Sequence, residues 1–160
     1  MPTPKLQTSR ALNIFRSDDA LIPNPTPMTS GAATSTITNA LEDTTKDFIA
    51  LGINIGDVVY NISSLTCATI VSITSATELE LNVDIMTSGQ DYIIYQNSPL
   101  SGDPNAGCVL YVGTGGDLAV TTAGGDYAFF AGVPTGAFVP VNVIKVWSAD
   151  TTANNIVALW

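Results

Sequence analysis

The residues best placed to bind something are two Gly-Gly-Asp triplets nine residues apart, Gly115-Gly116-Asp117 and Gly124-Gly125-Asp126. That spacing resembles the calcium-binding β-roll repeat G-G-x-G-x-D-x-U-x. Here, however, Asp follows the glycines directly, the third glycine is missing, and there are only two copies. Plain hairpin turns fit better, because Gly supplies positive φ and Asp bonds back to nearby backbone. Gly113 to Leu118 also misses the dinucleotide fingerprint, since Leu118 occupies its last glycine position and no helix is expected to follow. The chain has no His, the commonest general base and metal ligand. No Ser sits in a Gly-x-Ser-x-Gly elbow. Cys67 and Cys108 each precede an apolar run and lack a partner that would activate them. They read as reduced, buried thiols, and nothing in their spacing asks for the disulfide they could form. Asn61-Ile-Ser63 matches a glycosylation sequon but reads as a turn. No catalytic, cofactor-binding or metal-binding residue is expected, and no enzyme.

Aromatic side chains are the remaining candidates. Tyr127, Phe129, Phe130, Phe138, Trp147 and Trp160 could line a sugar-binding surface. In an all-β chain most such residues are core, so Phe129 and Trp147 are assigned to the core and Trp160 to an interface.

These residues need elements to hold them. From Val109 to Phe130, short apolar runs alternate with the Gly-Gly-Asp turns, a pattern that predicts a β-meander. Ala137 to Trp147 is a longer strand, and Asn155 to Trp160 a last one with apolar residues on both faces. Upstream, Thr66 to Ile73 predicts a strand with Cys67, Thr69, Val71 and Ile73 on one face. In Leu79 to Asp84, Leu79, Leu81 and Val83 are expected to face inward. Tyr92 to Tyr95 closes this set, and a helical turn capped by Asp43 or Thr44 is expected before it. Pro2, Pro4, Pro23, Pro25 and Pro27 deny regular structure to the first stretch, apart from one short strand within Ala11 to Phe15.

The fold expected is all-β: two small antiparallel β modules, each a partly open barrel or sandwich, with an extended N-terminal arm. The boundaries are an arm over 1–33, a first module over 34–96, a linker over 97–107 and a second module over 108–160. The arm's Leu12, Ile14, Phe15, Leu21 and Ile22 need cover. They could fold over their own chain or reach onto a neighbour, and the low charge favours the neighbour. With Trp160 they are the expected interface residues.

Composition limits the partners. Charged residues are 12% of the 160 and apolar residues 46%, which suits an exterior largely covered by other chains. Net charge is −9, and Lys5, Arg10, Arg16, Lys46 and Lys145 are scattered rather than clustered, which argues against nucleic acid. No apolar run is long enough for a transmembrane helix, and the amino terminus lacks a signal-peptide core. A protein made in the cytoplasm and then assembled into a larger structure is expected.

The run Leu110-Tyr-Val-Gly-Thr-Gly-Gly-Asp-Leu-Ala-Val-Thr-Thr-Ala-Gly-Gly-Asp126, with Val133-Pro-Thr-Gly-Ala-Phe-Val-Pro-Val141 and Ile156-Val-Ala-Leu-Trp160, resembles the spike-base domain of tailed bacteriophages and gene transfer agents. The resemblance covers about the last third of the chain. Gly52 to Asn61, Leu79 to Asp84 and Tyr92 to Tyr95 are similar to a module of marine phage structural proteins. These resemblances imply a virion protein on the outer capsid surface, a decoration, cement or head-spike base protein. Its implied partners are the major capsid protein, further copies of itself as a trimer or pentamer, and a separate spike or fibre protein, with no cofactor, nucleic acid or membrane. The alternative is a tail or baseplate module that binds host surface glycans.

Overall fold

The structure, a computed structural model, describes residues 8–97 and 107–160. It is all-β, with twelve strands and no helix among the described residues. In chain order they are β1 (Ala11–Asn13), β2 (Pro27–Ala32), β3 (Ala40–Glu42), β4 (Val58–Asn61), β5 (Thr66–Ile73) and β6 (Glu78–Leu81). There follow β7 (Asp91–Tyr95), β8 (Cys108–Thr114), β9 (Gly116–Thr122), β10 (Tyr127–Val133), β11 (Ala137–Val146) and β12 (Asn154–Leu159). One six-stranded sheet has the order β2-β7-β4-β5-β6-β3, the other β1-β12-β8-β11-β9-β10, and every pairing is antiparallel. Neither sheet closes into a barrel.

The first sheet is buried on both faces at its centre. Val59, Ala68, Ile70, Leu79, Leu81 and Ile94 join a core closed by Phe48, Ile53, Met86 and Tyr92. Val58, Tyr60, Cys67 and Tyr95 join the core of the second sheet instead. All four residues of β4 are therefore buried. This corrects the expected inward face of β5: Ile70 is fully buried and Val71 is exposed. A register shift between Ile70 and Ser72 breaks the period of two, with the Asn82 carboxamide oxygen accepting the Thr69 N–H at 2.7 Å. Leu79 and Leu81 do face inward, but β6 ends at Leu81 and Val83 is exposed. The expected helical turn is not capped by Asp43 or Thr44: the Asp43 carboxylate accepts the Thr45 backbone N–H at 2.9 Å and the Thr45 hydroxyl at 2.6 Å in a tight Asx turn. A single turn follows at Asp47, whose carbonyl accepts the Leu51 N–H at 3.0 Å and whose carboxylate accepts the Ala50 N–H at 2.9 Å.

The expected extended arm is drawn into both sheets. β1 pairs with β12, and β2 pairs with β7. Between them the chain is pinned to the second sheet at Ile14 (N–H to the Ile156 carbonyl, 3.0 Å), Ser17 (to Val146, 3.0 Å) and Ile22 (to Ile144, 2.8 Å). Asn24 N–H then reaches the Gln96 carbonyl at 2.9 Å, beside the first sheet. Phe15 meets Tyr60 with ring centroids 4.6 Å apart, and Tyr60 meets Tyr95 edge-on at 5.1 Å. The prolines forbid a helix here, but an extended chain can still lie in a seam, and Pro27 starts β2 at a sheet edge, where a missing N–H costs nothing. Most of the expected linker, residues 98–106, lies outside the described residues.

The first Gly-Gly-Asp triplet is not a hairpin, because β11 lies between β8 and β9. The first half of β11 pairs with β8 and its second half with β9, with register shifts at Val139/Val143 and Val143/Lys145. At Gly115 and Gly116 three backbones converge. A Cβ on Gly115 would lie 2.6 Å from the Val133 carbonyl oxygen, and one on Gly116 would lie 2.7 Å from Ala153 N. The glycines are there for close approach. The second triplet does close a hairpin: Thr122 N–H donates to the Asp126 carbonyl at 2.9 Å, and Tyr127 pairs with Thr121.

Candidate interaction surface

The chemistry-bearing residues serve the fold itself. The Asp117 carboxylate accepts the Gly132 N–H at 2.8 Å, while its backbone carbonyl accepts Thr152 and Ala153 N–H at 2.9 and 3.0 Å. Asn61 is fully buried; its amide donates to the Ile85 carbonyl at 2.6 Å and its oxygen accepts the Ser63 N–H at 2.9 Å. The sequon is thus an internal turn brace whose amide nitrogen no glycosyl donor can reach. Cys67 and Cys108 are free thiols in the same core, as expected. Burial pushes Cys67 up to about 11 against a weaker opposing hydrogen bond from Ser17, and burial pushes Cys108 up to about 12. Both are held as thiols, unsuited to nucleophilic attack. Among the described residues no group of three or more His, Cys, Asp or Glu is placed to hold a metal ion.

The six expected interface residues divide by place. Leu12 and Ile14 are buried in the second sheet's core, and Phe15, Ile22 and Trp160 pack against it half-buried. Leu21 is 40% exposed. Trp160 is tied to the chain's own start: its carbonyl accepts the Arg10 N–H at 3.1 Å and its N–H donates to the Arg10 carbonyl at 2.9 Å. Most of the cover these side chains require therefore comes from their own chain. The last strand, apolar on both faces, lies between β1 and β8 and is not an edge.

The aromatic assignments change as well. Phe129, expected in the core, is 51% exposed, because β10 is an edge strand and Phe129 lies on its outer face. Trp147 is half-buried on the sheet surface. Its indole N–H donates to the Thr121 hydroxyl at 3.0 Å, Lys145 Nζ lies 3.7 Å from its ring centroid, and Tyr127 meets it edge-on at 6.1 Å. Phe138, 56% exposed, tilts against Tyr111 at 5.3 Å. No periodicity in the sequence marks Phe129 as outward; only knowing that β10 is last in its sheet does.

Between the β4–β5 turn and the β8–β12 pair lies an open cleft of about 630 Å³. Ile14, Phe15, Leu65, Tyr111 and Val157 give it apolar walls, and Arg16, Asn13, Asn154 and Asn155 supply polar groups. Its lining contains Arg16 and no carboxylate, in a chain of net charge −9. The Arg16 guanidinium is oriented by donation to the Thr151 carbonyl. Leu65 and Asn155, both lining it, have φ of 58° and 53°, left-handed values that are costly for Leu.

No family model, curated protein or solved structure matches this chain.

Proposed function

We propose that the chain is a non-enzymatic structural protein of a tailed-phage virion, a decoration, cement or head-spike base protein bound to the outer capsid surface. The observation that carries this reading is the surface. Among the described residues eleven large apolar side chains are exposed, including Ile49 at 62%, Ile55 at 68% and Leu65 at 66%. A chain with so few charges and so much exposed apolar area suits a life spent against other subunits. The resemblance to spike-base domains supports the placing, since its residues form β8, β9, β11 and β12, which make up most of one sheet. Its partners on this reading are the major capsid protein, further copies of itself and a separate spike or fibre. Cryo-electron microscopy of particles from the producing host tests it: density for this fold on the capsid exterior is expected, and its absence from the particle overturns the proposal.

A second reading, a tail or baseplate module for host glycans, is favoured by the cleft. Arg16, three Asn side chains and Tyr111 beside apolar walls are the groups a saccharide uses. Density on the tail, with saccharide binding lost in Arg16→Ala, would select it over the first.

A further inference from the structure

A sheet edge exposes unpaired N–H and C=O groups, and proteins blunt such edges unless they use them. The described residues show four. β1 and β3 are each three residues long. β2 begins on Pro27, and its register shifts between Pro27 and Thr29. The β10 edge has no such device along most of its length. Its seven residues, Tyr-Ala-Phe-Phe-Ala-Gly-Val, include no charge and no proline, and only its far end carries an irregularity, between Phe130 and Val133.

The hydrogen-bond phase shows what that edge offers. Thr122 and Asp126 are a bonded pair, so Val120/Ala128 and Leu118/Phe130 are bonded pairs as well. Tyr127 and Phe129, paired with Thr121 and Ala119, then direct their backbone N–H and C=O away from β9. Their side chains, 54% and 51% exposed, lie beside that open edge.

We infer that two copies of this chain pair through their β10 strands, antiparallel across a two-fold axis, so that the sheet continues from one copy into the next. An antiparallel edge is self-complementary, as a two-fold interface requires. A register centred on Phe129 sets Phe129 against Phe129, an aromatic cross-strand pair. It also carries Tyr127 towards the second copy's Ala131, where the irregularity between Phe130 and Val133 ends the regular pairing. Inward-facing Ala128 and Phe130 stay packed on their own core. The inference does not depend on any role in a particle.

The test is the full chain in sedimentation equilibrium, with Phe129→Lys, Phe129→Pro and, as a control on a different strand, Phe138→Lys. Phe129→Lys puts like charges on the axis, and Phe129→Pro removes an outward N–H while sparing the bonds to β9. A monomer–dimer equilibrium is expected, weakened at least tenfold by either Phe129 variant and unchanged by Phe138→Lys, with circular dichroism preserved. Should Phe129→Pro fail to fold, Phe129→Lys decides. Phe129→Cys gives an independent readout. Bonded antiparallel partners have Cα atoms about 5.5 Å apart, within disulfide range, so oxidation should yield a covalent dimer while buried Cys67 and Cys108 stay unreacted. A wild-type monomer at all concentrations, an oligomer indifferent to the Phe129 substitutions, a trimer or pentamer, or no cross-link at position 129 overturns the inference.

Discussion

Replacing Tyr92 with Phe removes one oxygen atom from the centre of the first sheet, and its cost follows from the geometry. Tyr92 is 1% exposed, and its hydroxyl donates to Asp43 Oδ2 at 2.7 Å; Asp43 is also 1% exposed. Thr45 occupies the other carboxylate oxygen. A Cβ built on Gly31 would lie 2.5 Å from Oδ2 and 2.9 Å from the Tyr92 hydroxyl, so the pocket has no spare room for a replacement water. The ring itself, edge-on to Phe48 at 6.4 Å, is unchanged in Phe. The variant therefore leaves a buried anionic acceptor short of a donor. Hydrogen bonds to charged groups are worth about 1.5–3 kcal/mol, so a loss of about 2 kcal/mol is expected. At about 2–4 °C per kcal/mol for a chain of this length, Tm should fall by about 4–8 °C.

The deficit has a pH signature. Burial alone would raise the Asp43 pKa, but hydrogen bonds from the Thr45 and Tyr92 hydroxyls and the Thr45 N–H, with the Lys46 charge, outweigh it and hold it below the ordinary value. A depressed carboxylate contributes stability that is present above its unfolded pKa and lost as pH falls through the folded one. The gap between wild type and Tyr92→Phe should accordingly be full at neutral pH and shrink in acid. Burial, then the Asp43 hydrogen bond and charge, hold the Tyr92 phenol well above its usual range. Wild type alone should therefore lose this contribution as pH rises past the ordinary tyrosine value. Urea denaturation across pH measures both limbs. A neutral-pH loss under about 0.5 kcal/mol, below the usual range for even a neutral hydrogen bond, or a gap that ignores acid, would refute the account.

Four further outcomes are expected. Cys67 and Cys108 should resist a thiol reagent at mildly alkaline pH while folded and react fully in denaturant, as followed by mass spectrometry. Leu65→Gly should hold or raise stability by up to about 1 kcal/mol in thermal denaturation, because Gly adopts the left-handed turn conformation that Leu adopts at a cost. Calcium and chelator should leave Tm unchanged, since the Asp117 carboxylate is engaged by the Gly132 N–H; a rise of several degrees with calcium would restore the β-roll reading. Deleting residues 1–33 should abolish cooperative unfolding, because it strips β1, β2 and the seam between the sheets, whereas a passive arm would leave the melting curve intact.

How much of this was legible in the chain varies with how local the cause is. Turn chemistry and β-branched runs gave the all-β class, and the Leu79/Leu81 alternation survives because β6 is regular there. The face of β5 did not, since a bulge and burial on both sides remove the simple two-residue period. Strand adjacency is set by long-range contacts, so β11 inserting between β8 and β9 left no mark near Gly115. Phe129 fails for the same reason: a residue on an outer face at a sheet edge carries the same letter as one in the core. Of the candidate site, Arg16 and Tyr111 went unmarked because residues far apart in sequence meet only through the β1–β12–β8 order.

The last strand shows how adjacency changes a functional argument. A strand apolar on both faces needs two neighbours and cover above and below, and from the sequence another subunit is the natural source. Here β1 supplies one neighbour and β8 the other, while Ile156 and Ala158 point into the core. Trp160 is fixed by hydrogen bonds to Arg10. The requirement is met within the chain, so it says nothing about a partner. Removing Val157 to Trp160 would therefore unfold the second sheet rather than merely separate subunits, and a loss of particle binding by that truncation would be uninformative. The demand for a neighbour moves to β10, where the outward N–H and C=O groups find no partner among the described residues and substitution of Phe129 leaves the buried face intact. Only there does a loss of self-association report on contact between chains and not on the fold.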